Sequence, residues 1–129
     1  AAAVDQGEAI AVITYGMGVH WALGAARSFP GRVTVVDLRT LVPMDEETVM
    51  ETVREHGRCL VVTEEPVSNT FAQAIAARIA DQCFDRLDAP VRTLGAKDLP
   101  AIPLNSVLEA EMIPSAEKVA AAMREVLEY

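Results

Sequence analysis

Carboxylates, glycines and a histidine stand where short apolar runs give way to helical patterns, and these residue types could bind a ligand or move a proton. Two glycines and a histidine follow the first run, and carboxylates close the second and third. Clustered carboxylates could hold a cation or serve as acid and base. They could equally form a solvated rim. The candidate residues for an interface or ligand edge in this region are Gly16, Gly18, His20, Asp37, Glu64 and Glu65.

The segment from Gly16 to Gly18 has part of the pattern of a dinucleotide-binding turn. It follows an apolar run and opens a helical pattern, and Asp37 ends the next run about twenty residues later, as such a fold requires. However, Trp21 stands where the third glycine of the pattern belongs, and its indole would block close packing of helix on strand. We therefore interpret the segment as a tight strand-to-helix turn, for which glycine is the default residue.

We interpret the histidines and cysteines as structural residues. His20 begins a helix, where a cationic imidazole is disfavoured, so a neutral histidine hydrogen-bonded at an interface is preferred to a catalytic one. His56 lies near a helix C-terminus, where positive charge is favourable. Cys59 and Cys83 form no CxxC motif and have no nearby histidine pair, which excludes the usual zinc patterns. Both are predicted to be reduced, half-buried thiols.

Four apolar runs alternate with helical patterns and must position the candidate residues. The first three runs are almost continuously apolar, as expected for strands covered by helices on both faces of a parallel sheet. The fourth is shorter and more polar, which favours a sheet edge. The alternation predicts a doubly wound, three-layer αβα domain with a mostly parallel sheet of about four to five strands. The predicted strands are Ala9–Thr14, Val33–Leu38, Cys59–Glu64 and Val91–Leu94.

Capping residues mark the ends of the predicted helices. Serine, threonine and aspartate favour the N-cap, and glycine favours the left-handed residue after a helix. A proline-containing stretch at 95–114 shows no strand pattern, and a short helix is predicted within it at Ser106–Met112. The predicted caps are Asp45, Thr70 and Ser115 at helix starts and Gly57 at a helix end.

Length and charge bound the class of protein. The 129 residues suit one domain, with residues 1–8 interpreted as a linker or remnant of a preceding domain and 9–129 as the domain itself. Nineteen acidic against eleven basic residues give a net charge of -8, which opposes binding to nucleic acid or an anionic membrane. The chain has neither a bilayer-length apolar run nor the pattern of a secretion signal, so we expect a cytoplasmic protein.

Six short sequence segments along the chain resemble a known family. The most specific is Asp37-Leu38-Arg39-Thr40-Leu41 continued by Pro43 and Asp45. In order and spacing, all six are similar to the C-terminal domain of the beta subunit of 2-oxo acid dehydrogenases, a domain also found in transketolases. The six segments are Ile13–His20, Val36–Thr48, Val61–Pro66, Ala74–Ile79, Asp88–Arg92 and Ile113–Val119.

The resemblance implies a transketolase C-terminal-like fold and a role in assembly. In such enzymes thiamine diphosphate and Mg²⁺ lie between two other domains, so no catalytic, cofactor or metal residue is expected in this one. The parent enzyme would decarboxylate a 2-oxo acid and transfer the acyl group to lipoyl. The piece itself would join alpha and beta subunits, form a homodimer, and use its carboxyl end, including Tyr129, to contact the peripheral-subunit-binding domain of the acyltransferase.

Two other functions fit the same residues. The chain could be a free-standing α/β binding module, or it could hold a small ligand at the carboxyl edge of the sheet. Pyruvate, branched-chain 2-oxo acids and acetoin all remain open as substrates of the parent enzyme, as does fusion of its alpha and beta regions.

Overall fold

The computed structural model describes residues 2–5, 9–38, 46–66, 71–96 and 115–129. Within these ranges, strands and helices alternate as predicted from Ile10 onward. The elements are β1 (Ala2–Asp5), β2 (Ile10–Thr14), α1 (Met17–Ala26), β3 (Val33–Asp37), α2 (Glu46–His56), β4 (Cys59–Pro66), α3 (Phe71–Gln82), a 3₁₀ turn (Phe84–Arg86), β5 (Arg92–Ala96) and α4 (Ala116–Glu128).

The strands form one sheet in the order β1-β3-β2-β4-β5. The four strands β2 to β5 run parallel, and β1 pairs antiparallel with β3 at one edge. The α/β fold class is therefore confirmed, and β5 lies at the edge as its polar sequence predicted. The sequence predicted no strand within residues 1–8, where β1 lies. β1 is a strand because it pairs with the edge of β3; its own residues have no strong strand propensity.

Helices cover both faces of the sheet. Side chains alternate along β2, so Ile10 and Val12 pack with α1 and α4, whereas Ala11 and Ile13 pack with α2 and α3. Each face carries its own buried cluster, and β2 at the centre contributes to both. This explains why its sequence is continuously apolar.

Two of the predicted caps are confirmed. The Ser115 hydroxyl accepts a 3.3 Å hydrogen bond from the backbone N–H of Lys118 at the start of α4. Gly57 follows α2 with φ 75° and donates its N–H to the Val53 carbonyl at 2.8 Å. Asp45, Thr70 and the helix predicted at Ser106–Met112 lie outside the described residues.

His56 has the structural role predicted for it. Its Nδ1 lies 2.6 Å from the Thr52 carbonyl oxygen, and its Nε2 lies 2.8 Å from the Thr34 hydroxyl. Because a carbonyl oxygen only accepts, Nδ1 must carry a proton. The ring thereby ties the end of α2 to β3.

The cysteines are more buried than the sequence predicted. Cys59 and Cys83 are free thiols, and both are fully buried instead of half-buried. Cys83 Sγ lies 3.7 Å from Met50 Sδ in the cluster under α2 and α3. Burial raises the pKa of both thiols, and for Cys59 the neighbouring Cys83 adds to the effect. Cys59 lies in a strand covered on both faces and Cys83 directly follows α3 within the same buried cluster, so neither thiol reaches solvent.

We expect the free energy of unfolding to fall as pH rises above 9.0, the ordinary pKa of these thiols. Above that pH the unfolded chain releases thiol protons that the folded chain retains, so alkali favours unfolding. Below it both states hold the protons and the contribution is constant. Each thiol should steepen the decline by up to about 1.4 kcal/mol per pH unit.

Urea unfolding between pH 7 and pH 10.5 measures this effect. Cys59→Ala should decline less steeply than the parent chain, while the exposed Ser28→Ala should match the parent. If the Cys59→Ala and parent slopes were equal, the buried thiol would not be responsible.

Candidate ligand edge and a second cleft

The turn between β2 and α1 is built on Gly16. This residue is the N-cap of α1, with φ 59° and ψ -134°, and no side chain caps the helix there. Positive φ favours glycine, which has no Cβ to clash with the backbone. The interpretation as a tight strand-to-helix turn is thus confirmed.

Gly18 permits close packing of α1 on the sheet. It is buried, and a Cβ built there would overlap the Thr14 hydroxyl oxygen. That hydroxyl donates a 2.9 Å hydrogen bond to the Val62 carbonyl oxygen, joining β2 to β4. The second glycine of the segment therefore serves helix–strand contact.

A buried tyrosine secures the same edge and was missed from the sequence. The Tyr15 hydroxyl lies 2.8 Å from the Thr63 hydroxyl, and its ring meets Phe71 edge-on with centroids 6.3 Å apart. This links β2, β4 and α3. The available signal was that Tyr15 and Thr63 each follow an apolar run, so parallel strands would bring them to one edge.

The charged candidates surround this turn without forming one cluster. Glu64 is exposed and closest, since its Oε1 lies 2.8 Å from the position that a Cβ on Gly16 would occupy. Asp37 ends β3 on the far side of β2, two strand spacings or about 10 Å from β4. His20 is exposed on α1, and Glu65 lies in β4 with its side chain outside the described residues.

The described part of this edge does not favour a metal-bound diphosphate. Among the described residues, no group of three or more His, Cys, Asp or Glu side chains could hold a metal ion. The carboxylates of Glu64 and Asp37 would also repel a phosphate group. The arrangement favours a contact surface or a site for a small uncharged or cationic ligand.

Tyr129 lies in a second place, at the amino edge of the sheet. It is 68% exposed and lines an apolar cleft of about 530 Å³ together with Phe84, which is 79% exposed. The cleft opens beside residues 89–91, which immediately precede β5. We call it the Phe84–Tyr129 cleft. Its lining residues are Ala80, Phe84, Leu87, Asp88, Ala89, Pro90, Val91 and Tyr129.

Asp88 and Arg58 form a polar bridge beside this cleft. The Asp88 N–H donates a 2.7 Å hydrogen bond to the Gly57 carbonyl, and Asp88 Oδ2 lies 3.8 Å from Arg58 Nη1. Arg58 Nε also donates to the Val126 carbonyl at 3.1 Å. The bridge thus connects the starts of β4 and β5 to the end of α4. Phe84 was missed because nothing local in the sequence marks it as exposed.

Comparison with known proteins identifies the family. Residues 1–119 match the family model described as "Transketolase, C-terminal domain". None of the described helices is long and apolar enough to cross a membrane. A solved structure described as "Split gene transketolase, inactive beta4 tetramer" has a TM-score of 0.81 and 21% identity. The match covers 98% of this chain and 42% of that one, and it shows the fold.

Curated relatives are beta subunits of oxidoreductases. The chain is 39% identical over 127 residues to "2-oxoisovalerate dehydrogenase subunit beta" of Bacillus subtilis, covering 96% of this chain and 39% of the relative. It is 35% identical over 123 residues to "Pyruvate dehydrogenase E1 component subunit beta" of Rhizobium meliloti, covering 93% and 26%. The chain therefore spans well under half of these relatives. Together with the family model and the observed fold, these matches show that the chain belongs to the transketolase C-terminal domain family.

Proposed function

We propose that the chain is the assembly domain of the beta subunit of a thiamine-diphosphate-dependent 2-oxo acid dehydrogenase. The observation that carries the proposal is the 39% identity, across 96% of the chain, to a 2-oxoisovalerate dehydrogenase beta subunit. The parent enzyme decarboxylates a 2-oxo acid in the cytoplasm and transfers the acyl group to lipoyl. The domain itself is inactive and joins alpha and beta subunits.

The carboxyl edge supports a role without cofactor. Thiamine diphosphate with Mg²⁺ supplies the decarboxylation chemistry in the parent enzyme, and its diphosphate needs cationic or N–H donors. Glu64 and Asp37 instead place negative charge at this edge, which repels a diphosphate. In the proposal, residues outside this chain hold the cofactor, and the edge with Gly16, Gly18 and His20 is a contact surface between subunits.

The Phe84–Tyr129 cleft supports a contact with the acyltransferase. Two of the three large hydrophobic side chains that are exposed among the described residues line this cleft. Exposed apolar patches of this kind mark interaction sites. Asp81, Asp85 and Glu128 adjoin cleft residues in the sequence and are exposed, as is one cation, Arg86. An apolar centre with acidic surroundings suits a basic module such as the peripheral-subunit-binding domain.

Calorimetry and sedimentation on the purified 129-residue chain test the assembly role. We expect no heat of binding from thiamine diphosphate with Mg²⁺, and a dimer in solution. Saturable binding near one site per chain would contradict the proposal and favour a ligand site at the carboxyl edge. Mutation of Glu64 and Asp37 would then locate that site.

A second titration tests the acyltransferase contact. Phe84→Ala should weaken binding of the cognate peripheral-subunit-binding domain about tenfold or more, because an exposed aromatic anchor is lost. Met17→Ala is the matched control, since Met17 is 47% exposed at the opposite edge of the sheet. Unchanged affinity after Phe84→Ala, or after removal of residues 127–129, would exclude the cleft as the contact.

A further inference from the structure

Arg58 contacts both parts of the chain that form the Phe84–Tyr129 cleft, although it does not line the cleft itself. The lining residues come from the segment 80–91 and from Tyr129, which follows α4. Arg58 Nε donates a hydrogen bond of 3.1 Å to the Val126 carbonyl in α4, and its Nη1 lies 3.8 Å from Asp88 Oδ2 in the other segment. One guanidinium group therefore joins the two parts.

The end of α4 needs a partner of this kind. The last carbonyl groups of a helix have no partner within the helix, and a basic side chain in the last turn often binds them. The last turn of α4 contains no basic residue. The Val126 carbonyl accepts a long bond of 3.4 Å from the Tyr129 N–H, and Arg58 is its second donor. Arg58 thus supplies from outside the helix the cation that this helix end lacks.

Arg58 is well placed to fix the helix end, because its own backbone belongs to the sheet. The Arg58 carbonyl accepts a 2.9 Å hydrogen bond from the Ala11 N–H of β2. The next part of the cleft is held at the same point, since the Asp88 N–H donates to the Gly57 carbonyl at 2.7 Å. The Arg58 side chain is 28% exposed, so water screens its contacts only in part.

We propose that Arg58 is a positioning residue for the Phe84–Tyr129 cleft. It holds Tyr129 in place relative to Phe84 and Asp88, so that the cleft is ordered before a partner arrives. Side chains that are already ordered lose less conformational freedom on binding, and this raises affinity. The inference rests on the proposed function in one respect, because the partner it names is the basic peripheral-subunit-binding domain.

The sign of the effect separates positioning from simple charge. A cation beside the cleft opposes a basic partner, so by charge alone the removal of Arg58 should strengthen binding. If Arg58 orders Tyr129, the same removal weakens binding. The two explanations therefore predict opposite changes in affinity.

Titration of the cognate peripheral-subunit-binding domain against the 129-residue chain tests the proposal. We expect Arg58→Met to weaken binding about threefold to tenfold, as one side chain must then be ordered on binding. Arg86→Met is the matched control, since it removes the same charge from an exposed residue of the segment 80–91, and its affinity should be unchanged or slightly higher. Unchanged or tighter binding by Arg58→Met would overturn the proposal.

Arg58→Lys tests the two contacts of the guanidinium group. Lysine keeps the charge but places it on a single ammonium group, whereas arginine presents several donors in a fixed plane. We expect Arg58→Lys to recover only part of the affinity that Arg58→Met loses. Full recovery would mean that the charge of Arg58 is sufficient, which would contradict positioning through two contacts.

Hydrogen exchange on the unbound chain tests the positioning without any partner. Amides of residues 126–129 should exchange faster in Arg58→Met than in the parent chain, because the helix end frays. Amides of Ile10–Thr14 should keep their parental rates, which shows that the variant is folded. Unchanged exchange at residues 126–129 would overturn the inference. If the parent chain did not bind the partner domain, the proposed acyltransferase contact would fail, and the exchange rates would still decide whether Arg58 orders Tyr129.

Discussion

Replacement of Gly18 by alanine is expected to lower the free energy of unfolding by about 2–6 kcal/mol. The added Cβ would overlap the Thr14 hydroxyl oxygen and lie 3.3 Å from the Val62 carbonyl oxygen. Overpacking costs about 1–3 kcal/mol, and a broken buried hydrogen bond costs about the same again. Alanine is otherwise the better helix former, so propensity alone predicts the opposite sign.

A double-mutant cycle with Thr14→Ala identifies the cause. Thr14→Ala alone loses its hydrogen bond to Val62 and should cost about 1–2 kcal/mol. In the double variant the new Cβ occupies the space of the removed hydroxyl, so the double should be little less stable than Thr14→Ala alone. Chemical denaturation of all four proteins gives the coupling energy. Additive losses would show that the overlap with Thr14 is not what destabilises the helix.

Replacement of Gly57 by alanine is the second large effect, with an expected loss of about 2–4 kcal/mol. Its φ of 75° lies in the left-handed region, which costs a residue with a Cβ about 1–2 kcal/mol. The Cβ would also lie 2.5 Å from Asp88 Oδ2 and 3.2 Å from the Arg86 carbonyl oxygen. The side chain of Asp88 can move, but the backbone of Arg86 can only shift with the chain around the cleft.

Gly31 provides the matched control for this prediction. It has φ 72°, and a Cβ built there meets nothing within 4 Å. Gly31→Ala should therefore show the backbone cost alone, about 1–2 kcal/mol. Thermal or urea unfolding of both variants separates the two terms. Equal losses for Gly57→Ala and Gly31→Ala would mean that crowding against Asp88 and Arg86 adds nothing.

The sequence predicts most of this fold because most of its strands have a clear local sequence pattern. Almost continuously apolar runs such as Val33–Leu38 are typical of strands in a sheet covered on both faces. Gly57 and Ser115 mark helix ends through local backbone chemistry. The sequence did not predict β1 because its pairing is supplied by β3, thirty or more residues away along the chain. Local preference carries no signal for a strand of that kind.

In the candidate site too, features set by local sequence were predicted and contacts between distant segments were not. Gly16 and Gly18 were placed at a tight turn because glycine conformations are local. By contrast, the contact of Thr14 with Val62 depends on β4 lying beside β2, an order that alternation alone leaves open. Tyr129 was grouped with the other candidates as a surface residue, yet it lies at the opposite edge, beside the start of β5. That separation follows from the direction of the last helix across the sheet.

The position of α4 has a consequence for the order of events in folding. The layer under α2 and α3 is nearly complete once residues 11–91 are available. Among the described residues, its buried cluster runs from Ala11 to Cys83, and Leu87 and Val91 pack against it. The opposite layer also needs Val119, Met123 and Val126. Contacts such as Arg58 to Val126, 68 positions apart, form late because long-range closure is slow. A nascent chain is thus expected to leave the ribosome with one finished layer and one open apolar face, the stage at which a chaperone would engage it.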